Sequence, residues 1–170
     1  TVEEQFLNLL KVLDRNPKIR MIFTKANADT NGRIVNELID KYAAQNSERA
    51  CAFMSLGQKR YLSALKYCRI VIGNSSSGII EAPSFGKPII NIRDRKKGRI
   101  CADSVINCGY TQQEIQRAME TALTEEFENK ASNCRNPYEK ENTAANIISV
   151  IKDYLLNDKI KLKKGFYDIK

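Results

Sequence analysis

Apolar residues recur at helical spacing at Val2, Phe6, Leu9, Leu10 and Leu13, then give way to Ile19-Arg20-Met21-Ile22-Phe23, a short run that reads as a strand. Turn chemistry over residues 27–32 leads into a second helix to about residue 44, with Ile34, Val35, Leu38, Ile39 and Tyr42 at helical spacing. Ala50-Cys51-Ala52-Phe53 is a weaker strand, followed by a helix around residues 58–67 and a clear strand at residues 69–73. Residues 78–85 predict a short helix closed by Gly86, and Lys87-Pro88 introduces a buried strand over residues 89–92. Ser104-Val105-Ile106-Asn107 is a further apolar segment, and Thr111 with Glu114 forms a capping box for a helix to about residue 123. Asn136-Pro137-Tyr138 breaks the chain before a last amphipathic helix over about residues 142–155, with Ile147, Ile148, Val150, Ile151 and Leu155 as its apolar face.

Short buried strands alternating with helices predict an α/β fold, a doubly wound, Rossmann-like parallel sheet with helices on both faces. Nothing repeats internally, so residues 1–170 are expected to form a single domain, long enough to bury a core without disulfide or metal support. In such sheets ligands bind beyond the carboxyl ends of the strands, which directs attention to the loops after Phe23, Phe53, Gly73 and Ile92.

Composition then narrows the chemistry. No stretch approaches the roughly 18 consecutive apolar residues of a membrane span, and the N-terminus lacks the layout of a signal peptide, so no membrane partner is expected. The five cysteines are scattered, without a Cys-x-x-Cys pair, and read as reduced thiols of a cytoplasmic protein. Histidine is absent from the chain, which removes the commonest metal ligand and the commonest general acid/base; neither metal nor cofactor is expected. The net charge of +8 favours an anionic partner. Lys159, Lys161, Lys163, Lys164 and Lys170 read as a solvated terminus, whereas Arg93, Arg95, Lys96, Lys97 and Arg99 follow a strongly apolar strand and stand at the end of the sheet where ligands bind.

Gly73-Asn74-Ser75-Ser76-Ser77-Gly78 lies between a strand and a helix, where free backbone N–H groups and the positive end of the helix dipole meet. Two glycines permit tight turning, and three hydroxyls can donate to phosphate oxygens. A serine that merely caps the helix is the plainer alternative. Glu81, four residues after Ser77, is placed to accept hydrogen bonds from a ribose diol; a helix N-terminal acid is again the plainer alternative. Arg95 and its basic neighbours leave the next strand at the same end of the sheet, able to neutralise a diphosphate.

The run from Gly73 through Ile92, with Asp94-Arg95-Lys96-Lys97-Gly98-Arg99 after it and Lys164-Gly165-Phe166-Tyr167-Asp168-Ile169 near the end, resembles the hydrolysing UDP-N-acetylglucosamine 2-epimerases. The resemblance runs through essentially all of the chain and implies the C-terminal, nucleotide-binding half of a two-domain glycosyltransferase-B fold, with the N-terminal domain absent. It implies Ser75 and Ser76 on the diphosphate of a UDP-sugar, Glu81 on the ribose, Arg95 near the phosphates, Asn27 against the nucleotide and the Tyr61 ring near the uracil. Without the resemblance, Asn27 is an ordinary turn residue and Tyr61 an ordinary half-buried aromatic. The single Glu81 and Asn74-Ser75-Ser76-Ser77 differ from the aspartate-serine-glycine-glycine stretch and paired glutamate of the non-hydrolysing branch. At Asn136-Pro137-Tyr138-Glu139 relatives often have glycine after the tyrosine, so a backbone contact to ligand is not carried over there.

In that family UDP is lost to form a glycal, water adds, and N-acetylmannosamine and UDP result, a step in routes to sialic and related acids. The acid/base carboxylates belong to the N-terminal domain, so no catalytic residue is assigned here and the chain alone is expected to be inactive. Homodimerisation is implied for the intact enzyme. Two other functions fit parts of the sequence, the donor domain of a glycosyltransferase on the same fold and a basic RNA-binding domain. Against the second, the chain lacks aromatic-rich strands and any recognisable RNA-binding motif, and no nucleic-acid partner is expected.

Overall fold

The computed structural model describes residues 1–27, 32–92, 100–157 and 159. They belong to two compact units, Thr1–Pro137 and Tyr138–Lys170. The first unit opens on helix α1 (Val2–Asp14), where the Thr1 hydroxyl accepts from the Glu4 N–H and Glu3 and Glu4 occupy the positive first turn. Strand β1 (Met21–Thr24), helix α2 (Gly32–Gln45), strand β2 (Ala50–Phe53) and helix α3 (Gly57–Tyr67) follow. Strand β3 (Val71–Gly73) leads into helix α4 (Ser76–Ile80), a 3₁₀ turn (Ala82–Phe85) and strand β4 (Ile89–Ile92). Strand β5 (Val105–Cys108) and helices α5 (Gln112–Ala122) and α6 (Glu125–Ser132) complete the unit.

The expected α/β class is what forms: parallel strands flanked by helices. β1 pairs with β2, Met21 opposite Ala50, and β4 lies between β3 and β5, with Ile89 opposite Val71 and Val105. Among the described residues the ladder is not one continuous sheet but two, β1–β2 and β3–β4–β5. One core serves both. Leu9, Leu10, Val12 and Leu13 of α1 meet Met21 and Ala50 of the first ladder, Ile90 and Ile92 of the second, and Ile115, Ala118 and Met119 of α5. On the other face of β4, Ile89 joins Leu65 and Ala82.

Two local features differ from the sequence expectation. The helix expected over 78–85 starts earlier, at Ser76, and breaks after Ile80, because Pro83 has no N–H to continue the ladder and the chain tightens into the 3₁₀ turn. Gly86 closes that turn with a left-handed backbone, φ 62°, as the sequence indicates. Helix α6 was not anticipated; its signal is Thr124, whose hydroxyl accepts from the Phe127 N–H, followed by Glu125, Glu126 and Glu128, too few apolar positions for periodicity to register. The capping box at Thr111 and Glu114 is present.

Away from the carboxyl ends of the strands, Asp14, Tyr42 and Arg49 tie α1, α2 and the start of β2 together. The Tyr42 hydroxyl donates to Asp14 Oδ1 at 2.7 Å, and Arg49 Nη2 reaches both Asp14 Oδ1 and the Tyr42 hydroxyl at 2.8 Å. Burial, followed by the hydrogen bond and charge of Asp14, pushes the Tyr42 phenol from 10.0 up to about 12. The folded state therefore favours the neutral phenol, a contribution fully present below pH 10 and lost as pH rises from 10 through 12. Urea midpoints between pH 9 and pH 12 are expected to fall more steeply for the parent than for Tyr42→Phe, and parallel curves would contradict the assignment.

The second unit contains helix α7 (Thr143–Leu156), entered through a left-handed Asn142 at φ 56° and followed by an ion pair from Lys159 to Asp153 at 2.7 Å. Its Ile147, Ile148, Val150, Ile151 and Leu155 are each 52–62 % exposed. Among the described residues no helix is long and apolar enough to cross a membrane.

Candidate functional site

At the carboxyl end of β3, Gly73 adopts φ 150°, a backbone state that L side chains rarely occupy, with nothing within 4 Å of where a Cβ would stand. The glycine is required by conformation and not by space. Gly78 meets neither requirement: no positive φ is found there, and a Cβ would meet Ile89 Cγ2 at 3.6 Å, a normal contact. Between them Ser75 takes extended backbone, φ −68° and ψ 141°, and occupies the N-cap position of α4.

Its hydroxyl does not cap. Ser75 Oγ lies 3.2 Å from Ser77 Oγ, and Ser77 Oγ in turn is hydrogen-bonded to the Tyr61 hydroxyl. The Tyr61 ring is half-buried against the Leu65, Ala82 and Ile89 cluster, so α3 delivers its hydroxyl from a fixed anchor. Burial raises the Tyr61 phenol pKa against the pull of the Ser77 hydrogen bond, and the nearby Glu81 charge adds to the rise. Each hydroxyl carries one proton. With Tyr61 donating to Ser77 and Ser77 to Ser75, the Ser75 proton is left for a ligand that can only accept, such as a phosphate oxygen. Ser76, the next residue and exposed on the first turn of α4, carries a further hydroxyl.

Glu81 is exposed and stands where α4 ends and the 3₁₀ turn begins, its N–H donating to Ser77 O at 2.9 Å. A five-residue helix puts this carboxylate at the negative end of α4, so a favourable acid at that helix's N-terminus is not its role. The joint is pinned by Asn136, only 5 % exposed, whose Nδ2 donates to Ile80 O at 2.8 Å and Ser84 Oγ at 2.7 Å. Sequence reasoning read Asn136 only as part of a chain break.

Two further asparagines were missed. Asn91, 5 % exposed, stands in register with Gly73 on one side and Asn107 on the other. Its Nδ2 donates to Asn107 Oδ1 at 2.7 Å, while its own Oδ1 is buried without a partner among the described residues. An amide within a strand otherwise made of isoleucine was the signal available. At the end of β1, Asn36 clamps the backbone of Ala26 on both sides, accepting from its N–H at 2.8 Å and donating to its carbonyl at 3.1 Å. Lys25 is held to Asp40, one turn further along α2, at 2.7 Å. These contacts fix the strand end that carries the exposed Asn27.

Of the residues singled out from the sequence, Tyr61, Ser75, Ser76 and Glu81 are gathered around one loop, with Ser77 as the link that was not foreseen. Asn27 is at the carboxyl end of the other ladder. Arg95 and the basic cluster around it lie outside the described residues.

A family model described as UDP-N-acetylglucosamine 2-epimerase matches residues 1–152. The chain is 42 % identical over 125 residues to the GDP/UDP-N,N'-diacetylbacillosamine 2-epimerase (hydrolyzing) of Campylobacter jejuni, covering 74 % of this chain and 32 % of that protein. It is 38 % identical over 148 residues to the polysialic acid biosynthesis protein P7 of Escherichia coli, covering 87 % of this chain and 37 % of that protein. It thus spans about a third of the length of the curated relatives it matches. Among solved structures, the S. aureus MnaA-UDP co-structure superimposes with a TM-score of 0.70 at 21 % identity over 96 % of this chain and 43 % of that one, a likeness of fold. A family model that takes in residues 1–152, joined by relatives at 42 % and 38 % identity, establishes that the chain belongs to the UDP-N-acetylglucosamine 2-epimerase family.

Proposed function

We propose that this chain is the half of a hydrolysing UDP-N-acetylglucosamine 2-epimerase that holds the nucleoside diphosphate, converting UDP-N-acetylglucosamine and water to N-acetylmannosamine and UDP only together with a second domain. The observation that carries the proposal is the uncapped Ser75 hydroxyl, linked to an anchored Tyr61 through Ser77 at the end of β3. Ser75 and Ser76 donate to the diphosphate, and Arg95 neutralises it. Glu81 accepts from the ribose hydroxyls, and Asn27 bounds the nucleotide from the loop after β1. The Tyr61 hydroxyl serves the serine loop while the ring lies near the base. A neighbour of the same fold whose title names UDP, and a relative named for GDP and UDP substrates, support a nucleotide-sugar ligand. The histidine-free composition supports a division of labour in which the proton-transfer groups come from elsewhere.

Calorimetric titration tests this directly. UDP is expected to bind saturably at moderate salt and GDP more weakly, with Ser75→Ala and Glu81→Ala each weakening UDP about tenfold, equivalent to about 1.4 kcal/mol. UDP-N-acetylglucosamine incubated with the chain should release UDP no faster than in buffer. Absence of saturable UDP binding at millimolar concentration, or binding unchanged in both variants, would sink the assignment, and a preference for GDP would move the substrate to another branch of the family.

A further inference from the structure

β4 carries one residue that packing does not explain. Ile90 and Ile92 join the core formed with α1 and α5, and Ile89 joins Leu65 and Ala82 on the opposite face. Alternation puts Asn91 on the face of Ile89, two residues nearer the carboxyl end of the sheet. Helix α4 packs on that face with Gly78 over Ile89, and the chain enters α4 through Ser75 and Ser76. Asn91 is therefore enclosed below the serine loop, where an apolar side chain would leave no polar group unpaired.

What Asn91 does is hold another amide. Asn107, in register with it on β5, is exposed. Asn91 Nδ2 donates to Asn107 Oδ1 at 2.7 Å, which engages the oxygen of the Asn107 amide. The nitrogen at the other corner of that planar group, Asn107 Nδ2, keeps two hydrogens and has no partner among the described residues. The buried amide thus decides which end of the exposed one is offered outward, a donor and not an acceptor. Asn91 Oδ1 stays buried and unpaired among the described residues, a destabilising arrangement of the kind that sequences keep at functional sites.

We propose that Asn107 is a further substrate-binding residue, donating to an acceptor oxygen of the nucleotide sugar, and that Asn91 is its positioning residue. The proposal rests on the reading of the serine loop as the diphosphate site and adds a contact from the other side of β4. β3 and β5 flank β4 and so stand two strand spacings apart, about 10 Å. Asn107 therefore meets a different oxygen from the one that Ser75 holds, further along the same molecule. Two parts of such a ligand have the required chemistry, the phosphate oxygens and the carbonyl or hydroxyl oxygens of the sugar.

Calorimetric titration with UDP and with UDP-N-acetylglucosamine tests both parts. Asn107→Ala removes the donor at an exposed position and is expected to weaken binding about five- to tenfold. Equal loss for the two ligands puts the accepted oxygen on the phosphates, and loss for UDP-N-acetylglucosamine alone puts it on the sugar. Asn91→Val restores the apolar pattern of β4, so it should melt no lower than the parent, yet weaken binding about threefold because the Asn107 amide is then free to turn. Asn91→Asp can only accept in its ionised form, so Asn107 must turn over, donate Nδ2 inward and offer Oδ1 outward; binding should fall about as far as in Asn107→Ala. Neither change at position 91 should weaken binding further once Asn107→Ala is in place. Losses from Asn91→Val and Asn107→Ala that multiply in the double variant overturn the positioning role, whether or not Asn91→Asp folds. A parent that binds UDP and an Asn107→Ala variant that matches it for both ligands overturn the assignment of Asn107 and leave the serine-loop reading standing. A parent that binds neither ligand removes that reading and this one with it.

Discussion

Gly86→Ala is expected to destabilise the first unit by about 3 kcal/mol and to lower Tm by roughly 6–12 °C. Two effects add. At φ 62° and ψ 33° an L side chain pays about 1–2 kcal/mol for a left-handed backbone. An added Cβ would also stand 3.0 Å from Ser132 Cα and 3.4 Å from Ser132 O. The obstacle is backbone, at the end of α6, and cannot rotate away as a side-chain tip could. Gly78→Ala is the internal control, since its Cβ meets only Ile89 Cγ2 at 3.6 Å, and its stability should stay within about 0.5 kcal/mol of the parent. Circular dichroism melts of both variants decide the matter. If Gly86→Ala melts within a degree or two of the parent, the packing of the 3₁₀ turn on α6 is wrong.

Asn136→Ala should cost about 2–3 kcal/mol, by leaving Ile80 O and Ser84 Oγ without this donor in a site from which water is largely excluded, and by opening a small cavity. Asn136→Asp keeps the volume but replaces the donating nitrogen by an acceptor facing a carbonyl, so it is expected to be at least as damaging. If the aspartate variant were as stable as the parent, the two hydrogen bonds would have no part in holding the joint. Because Ile80 immediately precedes Glu81, both variants should also weaken UDP binding when measured well below their melting temperatures. Gly86 and Asn136 thus act on the same thing, the attachment of the serine loop and its carboxylate to the segment around α6.

Much of the site was legible because it is written in adjacent residues. Glycine, three serines and glutamate between a strand and a turn read as a loop able to hold phosphate, and the structure gathers these residues at the carboxyl end of β3. The distinction between Gly73, demanded by its backbone, and Gly78, which tolerates a Cβ, was not legible, because both look alike in a string of letters. Nor was the role of Asn136, which acts across more than fifty residues of sequence on Ile80 and Ser84. Helix α6 escaped for a different reason, since eight residues with a polar first turn leave too little apolar periodicity to see.

What the sequence by itself determined was the alternation of strands and helices, the capping box at Thr111, the left-handed stop at Gly86 and the family to which the chain belongs. The first three depend on residues within a few positions of one another, where propensity, capping and steric limits act directly, and the family on motifs written along the chain. Tertiary structure alone decided that Tyr61 is hydrogen-bonded to Ser77, that Asn36 clamps the end of β1, and that the described ladder divides between β1 and β3. Those outcomes depend on which faces stack and which edges meet, and the same local periodicities are compatible with many such arrangements until the core is packed.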